Sequence, residues 1–435
     1  MFRLRQITRR QLCRAGFVLG CLSPLLALTI WGTYRHSPVH GQSEQWSLRQ
    51  ALGVRVGFST IAHPRPGTVR YNDLVLADAE TGKPIATCRQ AEYRRSALKG
   101  DDRLTLSDLT IEPDGLAGCH ALLQRVLRRE RGTNVNLTLA IDSITIADRN
   151  TAETWTASGV IHASDEESAA RFVIGPQNSE DPSADAGATT DRISLRFARD
   201  HSTGTPTDKW ELHSGDDGVP CSWLTAIVGD LPGLNNSRLH GSIWVRDAAA
   251  GQIAVRGRLT DVNLAAIVRP YFGHFIEGNV EVEFAKPAHF QNGRIVEMRG
   301  TVIGGAGRLG RSLLAAASTA LGCQAKYESS NEVFAYDRLA FEFFIDAQGR
   351  MAIVGIPERG RPLISNQAGL GLLFEPRTQP QPAVNLARAI AIANAPSVPA
   401  TPQAALVLSR LPTATPVMAS RIVPDAPAPS ATRRR

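Results

Sequence analysis

The chain has 435 residues, 43% of them hydrophobic, which is enough for a substantial core in two or three domains or in one elongated one. Its formal charge of +7 sits at the ends: Arg3, Arg5, Arg9, Arg10 and Arg14 precede any acidic residue, and Arg433, Arg434 and Arg435 close the chain. The material between is nearly neutral, so composition gives no case for a nucleic-acid partner.

Residues 1–14 form a basic N-terminus. Ala15 to Tyr34, AGFVLGCLSPLLALTIWGTY, is 20 residues without a charge, the length of a helix that spans a bilayer core. The arginines before it keep the N-terminus in the cytoplasm and place everything after Arg35 outside. Trp31 and Tyr34 fall where an interfacial aromatic pair belongs. The competing reading is a cleaved export signal, because Thr8 to Arg14, TRRQLCR, is a loose twin-arginine motif. No A-x-A site follows, and Val39-His40-Gly41 is a poor substitute, so an uncleaved signal-anchor is the expectation. Residues 35–47 read as a linker.

From Leu48 to Glu375 the dominant period is two, the mark of strands with one wet and one dry face. Thr68 to Leu76, Leu104 to Ile111 and Leu137 to Ile146 look like copies of one element, each broken by an acid. The breaks, Asp73, Asp108 and Asp142, are spaced 35 and 34 residues apart. Further alternating runs cover Ile193–Phe197, Leu239–Val245, Gln252–Leu259, Asn279–Phe284, Gly293–Val302, Leu339–Ile345 and Met351–Val354. Asp346-Ala347-Gln348-Gly349 predicts a hairpin turn between the last two.

Short helices are predicted at Leu116–Arg131, Ser222–Val228, Val262–Tyr271 and Ser312–Leu321. The first places Leu116, His120, Leu123, Val126 and Leu127 on one face and its arginines on the other, which suits either capping a sheet or lying on an anionic membrane. Gly175 to Asp191 is acidic and turn-rich and predicts a mobile loop. After Pro376 the chain turns Pro- and Ala-rich; residues 376–435 hold eleven of the 26 prolines and read as a disordered tail with a brief helix at Val384–Ala393.

Chemistry-bearing motifs are scarce. Gly305 to Gly310, GAGRLG, matches the dinucleotide fingerprint G-x-G-x-x-G, with Glu328 downstream where a ribose-binding acid would lie. No sustained strand-helix-strand alternation surrounds it, so it reads as a turn in which glycine supplies positive φ and close packing. No H-E-x-x-H, G-x-S-x-G or Walker lysine is present, and of the ten histidines only His36 and His40 are close in sequence. Six cysteines occur without a C-x-x-C pair. Cys88, Cys119, Cys221 and Cys323 are open to disulfide pairing or to burial as free thiols.

Two stretches share a layout with known proteins. Leu52-Gly53-Val54-Arg55-Val56 is followed by Pro66-Gly67-Thr68-Val69 and then Leu76, a first strand and a P-G-x-V-x-x-x-x-x-x-L opening. Leu259 to Leu264, Ile276 to Val282, Gly300-Thr301-Val302 and Gly307 follow as a helix, a glycine-led strand, a second strand and a closing glycine. With the N-terminal anchor, this resembles the AsmA-like family, which is related to bridge-like lipid-transfer proteins. The resemblance implies a single-pass protein of the bacterial inner (cytoplasmic) membrane with a periplasmic bulk. The implied fold is mainly β with a few short helices: an elongated, curved, antiparallel-type sheet with an apolar groove.

Family members act in cell-envelope biogenesis, so the implied activity is handling or transfer of phospholipid, with envelope proteins or cell wall as further contacts. An apolar groove shields each acyl methylene for about 0.8 kcal/mol. The alternative is a non-enzymatic envelope scaffold whose dry face is a filled core. Neither reading makes the chain an enzyme, and no catalytic, cofactor-binding or metal residue transfers with the resemblance.

Overall fold

A computed structural model describes residues 6–35, 37–96, 102–112, 114–128, 135–146, 154–164, 167–176, 192–201, 206–228, 233–246, 251–268, 273–327, 331–356, 362–390 and 407–412. Helix α1 (Gln6–Phe17) runs through a π-helical segment, Val18–Leu22, into α2 (Ser23–Arg35). Arg14–Arg35, 22 residues, is long and apolar enough to cross a bilayer, and none of it is buried by the rest of the protein. Its Thr29 and Thr33 hydroxyls donate to the Leu25 and Thr29 carbonyls at 2.8 Å, so neither needs a partner from outside the helix.

The predicted linker is helical. Ser37 caps α3 (Pro38–Leu52), proline takes the first turn where its missing N–H costs nothing, and Gly53 ends it in the left-handed conformation at φ 65°. The β region therefore starts after Gly53 rather than at Leu48.

Strands β1 (Arg55–Gly57) and β2 (Thr60–Ala62) pair with successive halves of β3 (Thr68–Ala77), which is followed by β4 (Pro84–Arg94) and β5 (Asp102–Ile111). Helix α4 (Gly115–Leu127) then leads to β6 (Val135–Ile146), which lies parallel to β5. This pair corrects the expectation of an antiparallel sheet throughout: a crossover helix permits a parallel neighbour where a tight turn cannot.

From β6 the sheet meanders antiparallel through β7 (Thr154–Ala163), β8 (Glu167–Pro176), β9 (Ile193–Asp200) and β10 (Thr207–His213). After β11 (Val219–Pro220) and α5 (Cys221–Val228) it continues through β12 (Arg238–Arg246) and β13 (Gln252–Asn263). Helix α6 (Leu264–Val268) and β14 (Ile276–Glu277) precede β15 (Asn279–Gln291) and β16 (Arg294–Gly304). Val262 and Asn263, predicted helical, end β13 instead, because Asp261 in the left-handed conformation (φ 57°) adds a bulge that returns Val262 to the core.

The remaining elements are β17 (Gly307–Gly310), α7 (Arg311–Leu321), β18 (Cys323–Ala325), β19 (Val333–Tyr336), β20 (Arg338–Ile345) and β21 (Arg350–Gly355). They are followed by β22 (Pro362–Ser365), β23 (Gly371–Pro376), β24 (Gln381–Pro382) and α8 (Val384–Ile390). Strands β14, β17 and β19 form a small separate sheet, and the other 21 form one.

The acidic breaks have a single geometric role. In β6 Ile141 and Ile144 are three residues apart, which on a straight strand puts them on opposite faces, yet both are buried in the core. The same three-residue step separates Tyr71 from Leu74 and Leu106 from Leu109. Asp73 (φ 51°) and Asp108 (φ 55°) make it by turning left-handed; Asp142 makes it without. The breaks align across β3 to β6 through matched registers, and β7 has no extra residue: Ile141 pairs with Ala157 and Ile144 with Trp155. The repeat is thus a crease that bends the sheet and ends as a bulge.

Two hydrophobic clusters fill the dry side, one under α4 and α5 and one around α7 and α8. The second extends past the predicted boundary of the tail. Ala383, Ala387, Ala389 and Leu411 are buried, so Gln381–Ile390 and residues 407–411 belong to the folded body. Residues 177–191 of the predicted loop, and 391–406 and 413–435 of the predicted tail, lie outside the described residues. Gly175 and Pro176 are the end of β8.

Cys88, Cys119, Cys221 and Cys323 are free. Burial pushes their thiols up, Cys221 to about 12 and Cys119 and Cys323 to about 11, so they act as small apolar residues.

Candidate functional site

The registers stack the dry-face residues into rows. One row runs from Val69 through Tyr93, Leu104 and Leu139 to Gly159 and Phe172, and on to Ala288. It crosses eleven strands, β3 through β10 and then β12, β13 and β15, with an apolar residue at every position. At about 4.8 Å per strand it is about 48 Å long. Gly159 sits in it because the Phe172 ring lies over its Cα: a Cβ there would be 2.4 Å from the ring.

The first part of this row is only partly sealed. Val69, Tyr93, Leu104, Leu139, Phe172 and Leu195 are half-buried. Ile141, Ala157 and Ile193 on one side, and Ile161, Ala170 and Phe197 on the other, are buried. Leu106, Leu137 and Ile174 in the adjoining rows are half-buried as well, and within the row Gly159, Leu212, Ile243 and Ala288 are buried.

Helix α4 covers the adjoining rows. Gly115 and Gly118 let it approach β4 closely; a Cβ at Gly115 would meet the Ile85 carbonyl at 2.0 Å. His120 stacks on Phe197 at 5.8 Å, and burial, with Arg128 nearby, lowers its pKa. Arg125 donates to the Leu52 carbonyl closing α3, and Arg128 pairs with Asp208, which also holds Arg199. Arg125 and Arg128 are thus engaged by the protein itself and the helix packs on the sheet, while Arg129 and Arg131 lie outside the described residues. Farther along, Trp155 and Trp223 meet edge to face at 5.8 Å, joining α5 to β7.

The GAGRLG segment has a different geometry from a phosphate cradle. Gly307–Gly310 is strand β17, antiparallel to β14 and β19. The Gly310 amide donates to the Phe275 carbonyl and the Arg311 amide to that of Glu332, both at 2.8 Å, so amides opening α7 are committed. None of the motif's glycines has positive φ, which corrects that half of the expectation. Close packing requires one of them: a Cβ at Gly307 would lie 2.1 Å from the Glu277 carbonyl and 2.4 Å from the Tyr336 hydroxyl, whereas one at Gly305 would meet nothing within 4 Å. Glu328 is outside the described residues.

One polar chain was illegible in sequence. On the wet face His213 Nδ1 is 2.5 Å from Ser242 Oγ and its Nε2 is 2.7 Å from Glu211 Oε1, which also accepts from Trp244 Nε1. The order Ser–His–Glu is that of a nucleophilic triad. However, Ser242 lies inside β12 between β10 and β13, and the preceding Gly241 amide donates to Ser214 Oγ at 2.6 Å, so it is committed rather than free as an oxyanion donor. The chain reads as a cross-strand lock. No group of three metal-ligating side chains is assembled among the described residues. No protein-family profile matches this chain, and no curated protein sequence matches it.

Proposed function

We propose that this is a membrane-anchored extracytoplasmic protein that handles lipid along the dry face of its long sheet, in the manner of the AsmA-like proteins it resembles. The observation that carries the reading is the half-buried apolar row from Val69 to Leu195. It is broken only at Gly159, which the Phe172 ring covers, lies on the dry face of the sheet, and belongs to a body joined to a bilayer-length helix through α3. Anchoring by α1–α2 at the bacterial inner membrane, with the sheet in the periplasm, gives it access to acyl chains.

A second reading, an envelope scaffold with a filled core, is favoured by α4, α5, α7 and α8 packing over the same face. The two separate in one experiment on the full chain in vesicles doped with a diazirine phospholipid. Lipid handling predicts cross-links on β3 to β9 peptides, lost in Leu104→Asp and Leu139→Asp variants that still melt cooperatively, and kept in the wet-face control Val160→Asp. Cross-links confined to residues 14–35 sink the proposal and leave the scaffold.

A further inference from the structure

The start of α3 and the end of β2 bring together two histidines from separate segments. His40 Nε2 and His63 Nε2 are 3.4 Å apart, with ring centroids 5.7 Å apart and planes tilted by 31°. Tyr34 closes one side, its ring 5.5 Å from that of His40. The separation is long for a direct nitrogen–nitrogen hydrogen bond, which belongs near 3.0 Å. It fits another geometry. Two imidazole nitrogens at about 2.0–2.1 Å from a tetrahedral zinc ion stand about 3.3–3.4 Å apart.

Other features of the site agree. His40 and His63 are both half-buried, which leaves the pair reachable by a small ion from solvent. Glu44 lies one helical turn after His40 on α3 and acts on both His63 and Tyr71. Arg35 opposes a cation here, and its guanidinium is held 4.6 Å over the Trp31 ring. A carboxylate is therefore needed to offset it. As the side chains stand, Glu44 does not complete a three-ligand set with them.

We propose that His40 and His63 bind a divalent transition-metal cation of the zinc type, with water completing the shell and Glu44 as the nearby carboxylate that offsets Arg35. The ion ties α3, and through it the apolar helix, to the edge of the sheet. It would fix how the sheet stands on its anchor. The test uses the full chain in detergent after chelator stripping, titrated with Zn²⁺ alone by calorimetry and with Co²⁺ by absorption.

One Zn²⁺ per chain is expected, with affinity falling at least tenfold in His40→Ala and in His63→Gln, several-fold in Glu44→Gln, and unchanged in His162→Ala. The Co²⁺ spectrum of the unaltered protein should show the intense visible bands of tetrahedral coordination, a readout that needs no variant to fold. Absence of Zn²⁺ binding, or binding undiminished in both histidine variants, overturns the proposal.

Discussion

Arg89 reaches Asp108 across the β4–β5 pair, Nε to Oδ2 at 2.9 Å, at the row where four neighbouring strands step three residues between dry-face positions. Both side chains are largely exposed, so the ion pair itself is worth little. The conformation of Asp108 matters more. At φ 55° it occupies a region that a β-branched residue reaches only with strain, whereas glycine and asparagine enter it readily. Asp108→Val should destabilise the β body by about 1–3 kcal/mol. Asp108→Asn and Arg89→Ala should stay within about 0.5 kcal/mol. Urea unfolding followed by tryptophan fluorescence decides; equal effects for Val and Asn would mean that the crease does not depend on the left-handed step.

The glycines of GAGRLG are predicted to separate by position. A methyl group added at Gly305 would have nothing within 4 Å, while one at Gly307 would face the Glu277 carbonyl and the Tyr336 ring. Tyr336 is 1% exposed and donates to that same carbonyl at 2.8 Å, so neither can move aside cheaply. Gly305→Ala should be neutral. Gly307→Ala should cost about 1–3 kcal/mol, the range for overpacking a filled interior. In a dinucleotide cradle both would matter, through binding. A thermal melt of the two variants distinguishes these cases.

The C-terminal segment gives a third expectation. Leu411 is 5% exposed and packs into the cluster around α7 and α8, with Arg410 donating to the Gly293 carbonyl at 3.1 Å. Leu411→Ala should cost about 2–5 kcal/mol. A chain stopped after Glu375 loses α8 as well and should expose the cluster, measured as increased binding of an apolar dye and faster proteolysis. A chain stopped after Pro412 should behave as the full one. If the stop at Glu375 is equally stable, residues 381–411 are not part of the core.

Much of this fold was legible because alternation is local. The strands β3, β5 and β6 stood out from Val69, Leu104 and Leu137 onward, and even the acidic interruptions were visible, although their role as an aligned crease emerges only from register. By contrast β4, PIATCRQAEYR, and β7, TWTASGVIHA, hide their dry faces behind Ala, Cys and Gly, small residues that fit beneath α4 and Phe172. The tail misled for a similar reason: Ala387 and Ala389 look like filler, yet their smallness lets α8 sit against α7. The pairs His40–His63 and His213–Ser242 join elements that only the fold brings together, and no spacing rule reports them.

His274 sets the last prediction. It is buried, with Nδ1 3.1 Å from Ser312 Oγ and Nε2 3.1 Å from the Ala389 carbonyl, so it pins α8 to the start of α7. Burial lowers its pKa below the ordinary 6.5, against the opposing pull of the Ala389 carbonyl. The unfolded chain therefore takes up a proton before the folded one does. Above 6.5 both states are neutral and stability is unaffected. As pH falls below 6.5 the unfolded state gains, so stability is lost progressively until the folded pKa is reached. Between pH 7.5 and 5.5 the unaltered protein should lose thermal stability, and His274→Gln, which keeps a donor toward Ala389 but cannot titrate, should be less stable at pH 7.5 yet show a shallower slope. An unchanged slope would place the acid sensitivity elsewhere, with half-buried His120 the next group to test.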